Sequence, residues 1–450
     1  MLSLPLVSHV SPDSIIAWRA DGSVTLRQFL AEASQLVSQF PAGSHLLNMC
    51  SDRYRFSVGL AAAIMAGKVS LLPSTHTPEV VRQIKDYAPD VFCLTDSDLC
   101  TVDLPQLHYP PVIRLGQADA FAIPQIDSQQ RIAVLFTSGS TGIPQPHSKN
   151  WGALISSVQA EALRLGLQHN SSCTLIGTVP PQHMYGFEST VLMAWHSGNA
   201  LSHAHPFYPA DICQALAAVP TPRVLVSSPV HLRALLDCGL ALPEVTSVLS
   251  ATAPLSAQLA RDIEARCRAP LMEIYGSTET GLIATRRTTQ TAKWQLLPGI
   301  KLIVEGNCVR AFGAHVETMI TMNDIIELLS EEHFLLHGRL ADLVNIVGKR
   351  HSLAGLNHLL NSIPGVLDGV FYMPDETDPD RITRLAACVV APGLDAPHLL
   401  AALRKSIDPV FLPRPLLFVD ALPRNHTGKL PRAELQALFQ TRGVVKSAHE

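Results

Sequence analysis

A run of small and hydroxyl-bearing residues, Thr137 to Gly142, follows an apolar segment that indicates a buried strand, Ile132 to Phe136. A strand that ends in serine, threonine and glycine can wrap backbone N–H groups and hydroxyls around a polyphosphate. The spacing GxxxxGK[ST] is absent, which excludes the Walker type of phosphate loop. The same composition is also typical of a solvated turn, so the phosphate interpretation depends on the rest of the chain.

A second segment of this kind, Tyr275 to Gly281, also follows an apolar strand. Its aromatic ring can cover a purine, its hydroxyls can meet a phosphate, and Glu279 offers an oxygen ligand for Mg²⁺. The alternative is the start of a helix, capped by Ser277 or Thr278 with acidic residues behind the cap.

Two charged positions extend the pattern toward the C-terminus. Asp324 follows a strand-like stretch and lies 15 residues before Arg339. Lys429 lies on a glycine turn in PRNHTGKLPR, where a lysine is ordinarily a solvated surface charge. Together with the two loops, it is a candidate for the cation that meets negative charge developing at a phosphoryl or acyl centre.

The segments around these residues alternate between helical and strand patterns. Helical spacing predicts helices over Thr25 to Phe40, Pro78 to Tyr87 and Trp151 to Leu167, with short apolar strands between such helices. This alternation predicts an α/β fold with parallel sheets over residues 1–338. Beyond His337 short strands predominate, which predicts a compact α+β unit over residues 339–450.

Composition excludes several classes of protein. Apolar residues make up 47% of the 450 residues, enough to build a core. With 34 Lys and Arg against 38 Asp and Glu, no positive excess is available for nucleic acid. The longest uncharged apolar stretch, Phe56 to Gly67, has 12 residues against the roughly 20 of a membrane span, so we expect no transmembrane segment.

Cysteine and histidine usage indicates neither disulfides nor a metal site. The nine cysteines contain no CxxC pair, which predicts reduced thiols, and no secretory leader is evident, so we expect a cytoplasmic protein. His203 and His205 form an HxH pair in a loop-like run, where solvated histidines are commoner than zinc ligands.

Taken in order, the motifs resemble those of the adenylate-forming superfamily, which includes acyl- and aryl-CoA synthetases, nonribosomal-peptide adenylation domains and firefly luciferase. The matching segments are LFTSGSTGIP, PQHMYGFES, ATAPLS, YGSTETG, the Asp324 segment, GRLADLVNIVGKR and PRNHTGKLPR. The resemblance implies that a carboxylic acid reacts with ATP and Mg²⁺ to give an acyl-adenylate and pyrophosphate, after which the acyl group passes to a thiol.

The resemblance also implies roles for individual residues in ATP binding. The β- and γ-phosphates would be held by Thr137, Ser138, Gly139, Ser140, Thr141 and Gly142. The adenosine would be held by Ala253, Pro254, Tyr275, Gly276, Asp324 and Arg339. Thr278 would reach the α-phosphate, and Glu279 would hold Mg²⁺.

The acid itself would meet a third group of residues. By resemblance, His183, Tyr185 and Gly186 would gate the acyl pocket, and Lys429 would bridge the carboxylate and the α-phosphate. Because Lys429 belongs to the small C-terminal unit, that unit would act as a mobile lid that rotates about residues 340–342 between the two steps.

Two positions depart from the family pattern. Gln145 lies where the phosphate loop commonly has a lysine, and Lys149, four residues further on, is a possible substitute. Ala341 replaces the first acidic residue of the hinge, while Asp342 keeps the second.

The short chain and the PQPHSKNW variant most resemble small ligases of aryl-polyene pigment pathways. That resemblance implies an aryl acid such as a hydroxybenzoate, loaded onto the phosphopantetheine thiol of an acyl carrier protein. A free-standing acyl- or aryl-CoA synthetase that uses CoA is the alternative, and Glu188 leaves an amino-acid substrate open. A non-catalytic adenylate-binding scaffold is a third possibility, which the presence of both Glu279 and Lys429 argues against.

Overall fold

The computed structural model describes residues 2–73, 75–110, 121–138, 144–168, 172–306, 308–339, 343–346, 349–374, 384–425 and 430–441. The strands in this part of the chain are β1 (Ser3–Pro5), β2 (Ile15–Arg19), β3 (Gly22–Thr25), β4 (His45–Asn48), β5 (Val69–Leu72), β6 (Phe92–Thr95), β7 (Gln106–His108), β8 (Gln125–Asp127), β9 (Arg131–Ser138), β10 (Pro144–Asn150), β11 (Thr174–Gly177), β12 (Ala200–Ser202), β13 (Arg223–Ser227), β14 (Ser247–Ser250), β15 (Leu271–Ser277), β16 (Gly281–Arg286), β17 (Trp294–Leu296), β18 (Lys301–Glu305), β19 (Cys308–Gly313), β20 (Val316–Met322), β21 (Asp324–Leu328), β22 (His333–Arg339), β23 (Leu343–Ile346), β24 (Lys349–Ser352), β25 (Asp368–Tyr372), β26 (Ala386–Val390) and β27 (Leu416–Phe418).

The helices are α1 (Leu26–Val37), α2 (Arg53–Met65), α3 (Pro78–Tyr87), α4 (Trp151–Leu165), α5 (Met184–Gly186), α6 (Met193–Ser197), α7 (Pro209–Ala217), α8 (Pro229–Asp237), α9 (Ala257–Cys267), α10 (Leu353–Asn361), α11 (Ala396–Leu403) and α12 (Arg432–Thr441). A π-helical turn, Phe187–Leu192, joins α5 to α6, and a 3₁₀ turn covers Pro409–Phe411. None of the described helices is long and apolar enough to cross a membrane.

Two large sheets with parallel strands organise the chain as far as β22. One has the order β10-β9-β5-β4-β6-β7, in which every strand except β10 runs parallel to its neighbours. The other has eleven strands in the order β21-β22-β17-β16-β15-β14-β13-β11-β12-β2-β3, with a parallel centre from β15 to β2. The predicted α/β fold with parallel sheets is confirmed.

The main hydrophobic core lies between the sheets and the helices that cover them. Helix α2 is almost entirely buried, because its uncharged run from Phe56 to Ile64 meets apolar neighbours on all sides. Helix α4 buries Leu154, Ile155, Val158 and Ala162, as the helical spacing predicts. The strands predicted in the C-terminal part also form, as β25 and β26.

The described residues after Leu343 build smaller sheets, including β25-β26-β27, over hydrophobic clusters of their own. The division into residues 1–338 and 339–450 stays a prediction.

One local alternative is wrong. Ser277 and Thr278 do not begin a helix, because Ser277 ends β15 and the chain turns directly into β16 at Gly281. The turn is closed by side chains, with the hydroxyls of Ser277 and Thr280 lying 3.1 Å apart.

Candidate active site

Polar side chains collect at the carboxyl ends of the parallel strands. Strands β14 and β15 are parallel neighbours, so the segment with Ala253 and Pro254 after β14 lies beside the turn from Tyr275 to Gly281. In open α/β sheets, ligands bind at this edge. The fold therefore places two of the predicted nucleotide segments side by side.

The end of β9, in the other sheet, meets the same turn through one histidine. Thr137 Oγ1 lies 2.9 Å from His147 Nε2, and that nitrogen lies 3.5 Å from Glu279 Oε1. His147 and Thr137 belong to the antiparallel pair β9-β10, while Glu279 belongs to the turn between β15 and β16. The two loops predicted to contact phosphates therefore come together through side chains.

Lys149 is a cationic side chain at this junction. Its Nζ donates a hydrogen bond to the backbone carbonyl of Glu279, at 3.2 Å. Burial lowers the pKa of Lys149, while the nearby carboxyls of Glu188 and Glu279 act in the opposite direction. The lysine thus lies near two carboxyls, that of Glu279 in the turn and that of Glu188 in the core.

Glu279 is held in the ionised form. Partial burial favours its protonated form, but hydrogen bonds from its own backbone amide and from Ser277, together with His147 and Lys149, bring its pKa below the usual value. The pKa of His147 is also lowered, chiefly by burial. The pair therefore presents an anionic carboxylate beside a mainly neutral imidazole at neutral pH.

The glycine in this turn is required by close packing. A Cβ on Gly276 would collide with the carbonyl oxygen of Gly281 across the turn. Gly276 itself is exposed. The preceding residue, Tyr275, is partly buried, and the centroid of its ring lies 5.3 Å from that of Trp294 and 5.6 Å from that of Phe334. Thr278 is partly buried within the same turn.

Asp324 and Arg339 lie opposite each other in the register of β21 and β22. Asp324 lies on β21, the edge strand of the eleven-stranded sheet and four strands from β15, while Arg339 lies on β22, three strands from β15. The strand register thus pairs these two positions, while Glu279 lies in the turn between β15 and β16.

The predicted acyl-gate residues form the start of the segment that leads into the π-helical turn. His183 Nδ1 accepts a hydrogen bond from the backbone amide of Tyr185, at 3.3 Å, and so caps α5. Tyr185 is buried, and a Cβ on Gly186 would collide with the carbonyl of Pro180. The chain path here therefore depends on glycine.

Two buried carboxyls lie next to each other beneath this segment. Glu188, on the π-helical turn, is 4% exposed, and its Oε1 has no hydrogen-bond partner among the described residues. Burial raises its pKa to about 7, although the charge of Lys149 and interactions with Ser157 and Leu282 oppose the shift. π-Helical turns within α-helices frequently occur at functional sites.

Glu161, on α4, is the second buried carboxyl. Its Oε1 accepts a hydrogen bond from Ser189 Oγ at 2.7 Å, while Oε2 is enclosed without a hydrogen-bond partner in the described chain. Burial raises its pKa to about 8, and the neighbouring Glu188 adds to the shift. The core beside the predicted acid pocket therefore contains two carboxyls that favour protonation.

Several predicted site residues lie outside the described residues: Gly139, Ser140, Thr141, Gly142 and Lys429. The two hinge positions, Ala341 and Asp342, also lie outside them.

Glu279 fits the way in which Mg²⁺ is usually held. Among the described residues no three His, Cys, Asp or Glu side chains form a metal-binding group, which also leaves His203 and His205 without one. Mg²⁺ commonly takes one or two carboxylates together with substrate phosphates and water, and not an all-protein cage. A single ionised carboxylate beside a phosphate loop meets that requirement.

Sequence reasoning missed several polar residues of this region. Glu161 had a usable signal, because it falls on the helical face that carries Val158 and Ala162 and so was bound to be buried. His315, whose ring lies beside Gly281, and His231, whose Nδ1 lies 3.3 Å from Thr178 Oγ1, had none. Their contacts arise between segments distant in sequence.

Comparison with known proteins gives one family match and a consistent set of relatives. A family model described as AMP-binding enzyme matches residues 11–311. The chain is 28% identical over 304 residues to 4-coumarate–CoA ligase from Rhodobacter capsulatus, covering 67% of this chain and 75% of that protein. It is 30% identical over 305 residues to the 4-coumarate–CoA ligase of Halorhodospira halophila, covering 65% and 73%. An indoleacetate–CoA ligase from Aromatoleum aromaticum is 23% identical over 80% of this chain and 78% of its own.

Solved structures share the fold over nearly the whole chain. ATP-bound MatB from Rhodopseudomonas palustris superposes with a TM-score of 0.82 at 19% identity, covering 97% of this chain and 98% of MatB. The o-succinylbenzoate–CoA synthetase MenE from Bacillus subtilis, in complex with ATP and magnesium ion, gives a TM-score of 0.79 at 19% identity over 95% and 97%.

Proposed function

The chain belongs to the AMP-binding enzyme family, and from this premise we propose that it activates an aryl carboxylic acid with ATP and passes the acyl group to a phosphopantetheine thiol. The resemblance to the adenylate-forming superfamily is confirmed, and the protein is an AMP-forming ligase. Two parts of this proposal need separate support, namely the kind of acid and the molecule that carries the thiol.

The contact between the two nucleotide loops carries the proposal. Thr137, His147 and Glu279 form a continuous set, with distances of 2.9 and 3.5 Å. Adenylate formation brings a carboxylate and a triphosphate together, which requires hydrogen-bond donors, a metal-binding carboxylate and a cation more than a strong base. The residues at this junction are of those types.

Glu279 would hold Mg²⁺ in this scheme, and Thr137 would donate its hydroxyl to a phosphate. Bound Mg²⁺ offsets the negative charge of the phosphates during the exchange of the P–O bond. Lys429, brought by the C-terminal unit, would bridge the two anionic reactants, and Asp324 with Arg339 would bind the ribose. The remaining ATP-binding roles stay as the family resemblance implies them.

A ring that carries a hydroxyl group is supported by the buried carboxyls. Glu188 Oε1 lacks a partner in the described structure and lies on the segment that begins at His183. A phenolic hydroxyl would satisfy such an oxygen, and a buried polar atom left unpaired disfavours the ligand that lacks it. An amino-acid substrate is less well supported, because Lys149 already acts on Glu188 as a neighbouring cation.

The acceptor is supported by the names of the relatives. Those with aromatic substrates are named as CoA ligases, which favours CoA over a carrier protein. Both acceptors present the same phosphopantetheine thiol, so transfer to an acyl carrier protein is tested in the same experiment. A cytoplasmic location stays a prediction.

The test is ATP–pyrophosphate exchange with benzoate, 4-hydroxybenzoate, cinnamate, 4-coumarate, fatty acids and amino acids. Thioester formation is then followed by mass spectrometry with CoA and with a holo carrier protein in separate reactions. We expect exchange with aryl acids, at least tenfold faster with the hydroxylated member of each pair, and CoA thioester as the product.

The Lys429→Ala variant is the control and should lose exchange while retaining ATP binding. Exchange confined to fatty acids or amino acids would contradict the aryl assignment. A mass shift on the carrier protein without CoA thioester would instead assign the carrier as acceptor. If no acid supports exchange although the protein binds ATP, the non-catalytic scaffold is favoured.

A further inference from the structure

Strand β10 carries three polar side chains on one face, and two of them contact Glu279 in the turn that follows β15. Gln145, His147 and Lys149 alternate along the strand and therefore share one face. In the register with β9, Gln145 lies opposite Thr137 and His147 lies opposite Leu135. The imidazole thus reaches the Thr137 hydroxyl along a diagonal, a distance that long side chains can span.

The same face meets Glu279 at two points. His147 lies beside the Glu279 carboxylate, and Lys149 donates to the Glu279 backbone carbonyl. A carboxylate with 38% of its side chain exposed has several rotamers available unless a neighbour restricts it. The imidazole is the neighbour that touches both this carboxylate and the hydroxyl of Thr137.

We propose that His147 is a positioning residue, which holds the Glu279 side chain and the Thr137 hydroxyl in a fixed relation before MgATP binds. Lys149 holds the backbone of the same turn from the next position on the strand face. That the ligand is MgATP rests on the proposed function, whereas the contacts of His147 with Thr137 and Glu279 do not depend on it. Gln145 lies where the family commonly has a lysine, and in this proposal His147 and Lys149 supply hydrogen-bond donors on the same face of the strand.

A purely structural role is disfavoured by where His147 lies. Its side chain is 22% exposed, and β10 is the edge strand of its sheet. The imidazole is largely buried, but glutamine and asparagine each keep a polar amide in its place at the sheet edge, so we expect folding stability to change little. Loss of orientation should appear in MgATP binding and turnover, because misplaced groups reduce both.

The test uses two variants that differ in reach. In His147→Gln the terminal amide can occupy the place of Nε2, whereas in His147→Asn it stops at the level of Nδ1. The full-length protein is assayed for KM of MgATP and kcat in ATP–pyrophosphate exchange, for equilibrium binding of MgATP by calorimetry, and for thermal unfolding. Ser148→Ala, at an exposed neighbouring position, is the matched control.

We expect His147→Asn to raise the KM and the dissociation constant of MgATP at least fivefold and to lower kcat, with an unchanged melting temperature. His147→Gln should recover most of the binding, and Ser148→Ala should match the parent protein. Equal behaviour of the Gln and Asn variants, whether both intact or both impaired, would overturn the proposal. If the parent shows no exchange with any acid, the proposed function fails, and the calorimetric comparison of the two variants still decides the role of His147.

Discussion

At the scale of single residues, three carboxyls within a small region have different protonation tendencies. Glu279 is partly exposed, contacts His147 and Lys149, and has a lowered pKa. Glu188 and Glu161 are buried, and their pKa values rise to about 7 and about 8. The local environment therefore gives identical side chains different charges. Glu279 is an anion suited to a metal ion, whereas Glu188 and Glu161 are largely neutral hydrogen-bonding groups below their pKa values.

The raised pKa of Glu161 makes stability depend on pH. Below about pH 4.5 the carboxyl is protonated in both the folded and unfolded states, so its contribution to stability is fully present. Between this value and about pH 8 only the unfolded state loses the proton, so unfolding becomes progressively easier, at about 1 kcal/mol per pH unit. We expect Glu161→Gln to gain stability relative to the parent protein as pH rises from 5 to 8, measured by urea unfolding at several pH values.

The matched control is Glu244→Gln, at an exposed position. The pH dependence of the Glu161→Gln variant is compared with that of this variant, which removes a surface carboxyl. A Glu161→Gln curve parallel to that of the parent would show that Glu161 is ionised in the folded protein.

At the scale of elements, a buried arginine at the start of α2 contacts both the end of β11 and the π-helical turn. Arg53 donates to Thr190 Oγ1 at 2.8 Å and to the carbonyls of Gly177 and Val179 at 2.8 and 2.9 Å. Burial lowers its pKa to about 10, so it remains charged at neutral pH. One side chain thus fixes the end of β11 relative to the π-helical turn that carries Glu188.

We expect Arg53→Met to lower the free energy of unfolding by about 3 kcal/mol, because two buried carbonyls and a hydroxyl lose their donor. The measurement is the urea midpoint, read together with an unchanged slope. Arg82→Met is the control, since that arginine is exposed on α3 and pairs only with Glu79 and Asp86 in the described structure. A loss no larger than that of the control would mean that other groups satisfy the carbonyls.

At the scale of the whole molecule, the nucleotide site is assembled from two sheets. β9 belongs to one sheet and the turn after β15 to the other, so MgATP bound as proposed would contact both and stabilise their relative placement. A ligand that binds only the folded state adds about 3 kcal/mol at a hundred times its dissociation constant, which corresponds to about 3 °C for a protein of this size.

We expect that rise in melting temperature for the parent protein and for Lys429→Ala, while Glu279→Gln should lose most of it. Thermal scans with MgATP, with ATP plus a chelator, and without nucleotide measure the effect. An equal rise in Glu279→Gln would argue against a metal-binding role for Glu279, and an equal loss in Lys429→Ala would assign that lysine to ground-state binding of ATP.

The sequence by itself determined the alternating α/β order and most element positions, and it predicted two loops that would bind the nucleotide. Helix α3 forms over the predicted residues, and α4 buries most of the predicted face, since apolar periodicity depends on local spacing alone. The order of the motifs was sufficient to indicate the family, because a set of short motifs in one fixed order is far more specific than any one of them alone. That the two loops bind the nucleotide stays a prediction.

Only the tertiary structure decided which side chains meet. His147 bridges Thr137 and Glu279 across 132 positions of chain, and Glu188 approaches Lys149 from a separate helical segment. No spacing rule reaches that far, because these contacts depend on how two sheets pack and on the register of β10 against β9. The turn at Ser277, which is compatible with a helix cap by composition, was likewise decided by pairing of β15 with β16.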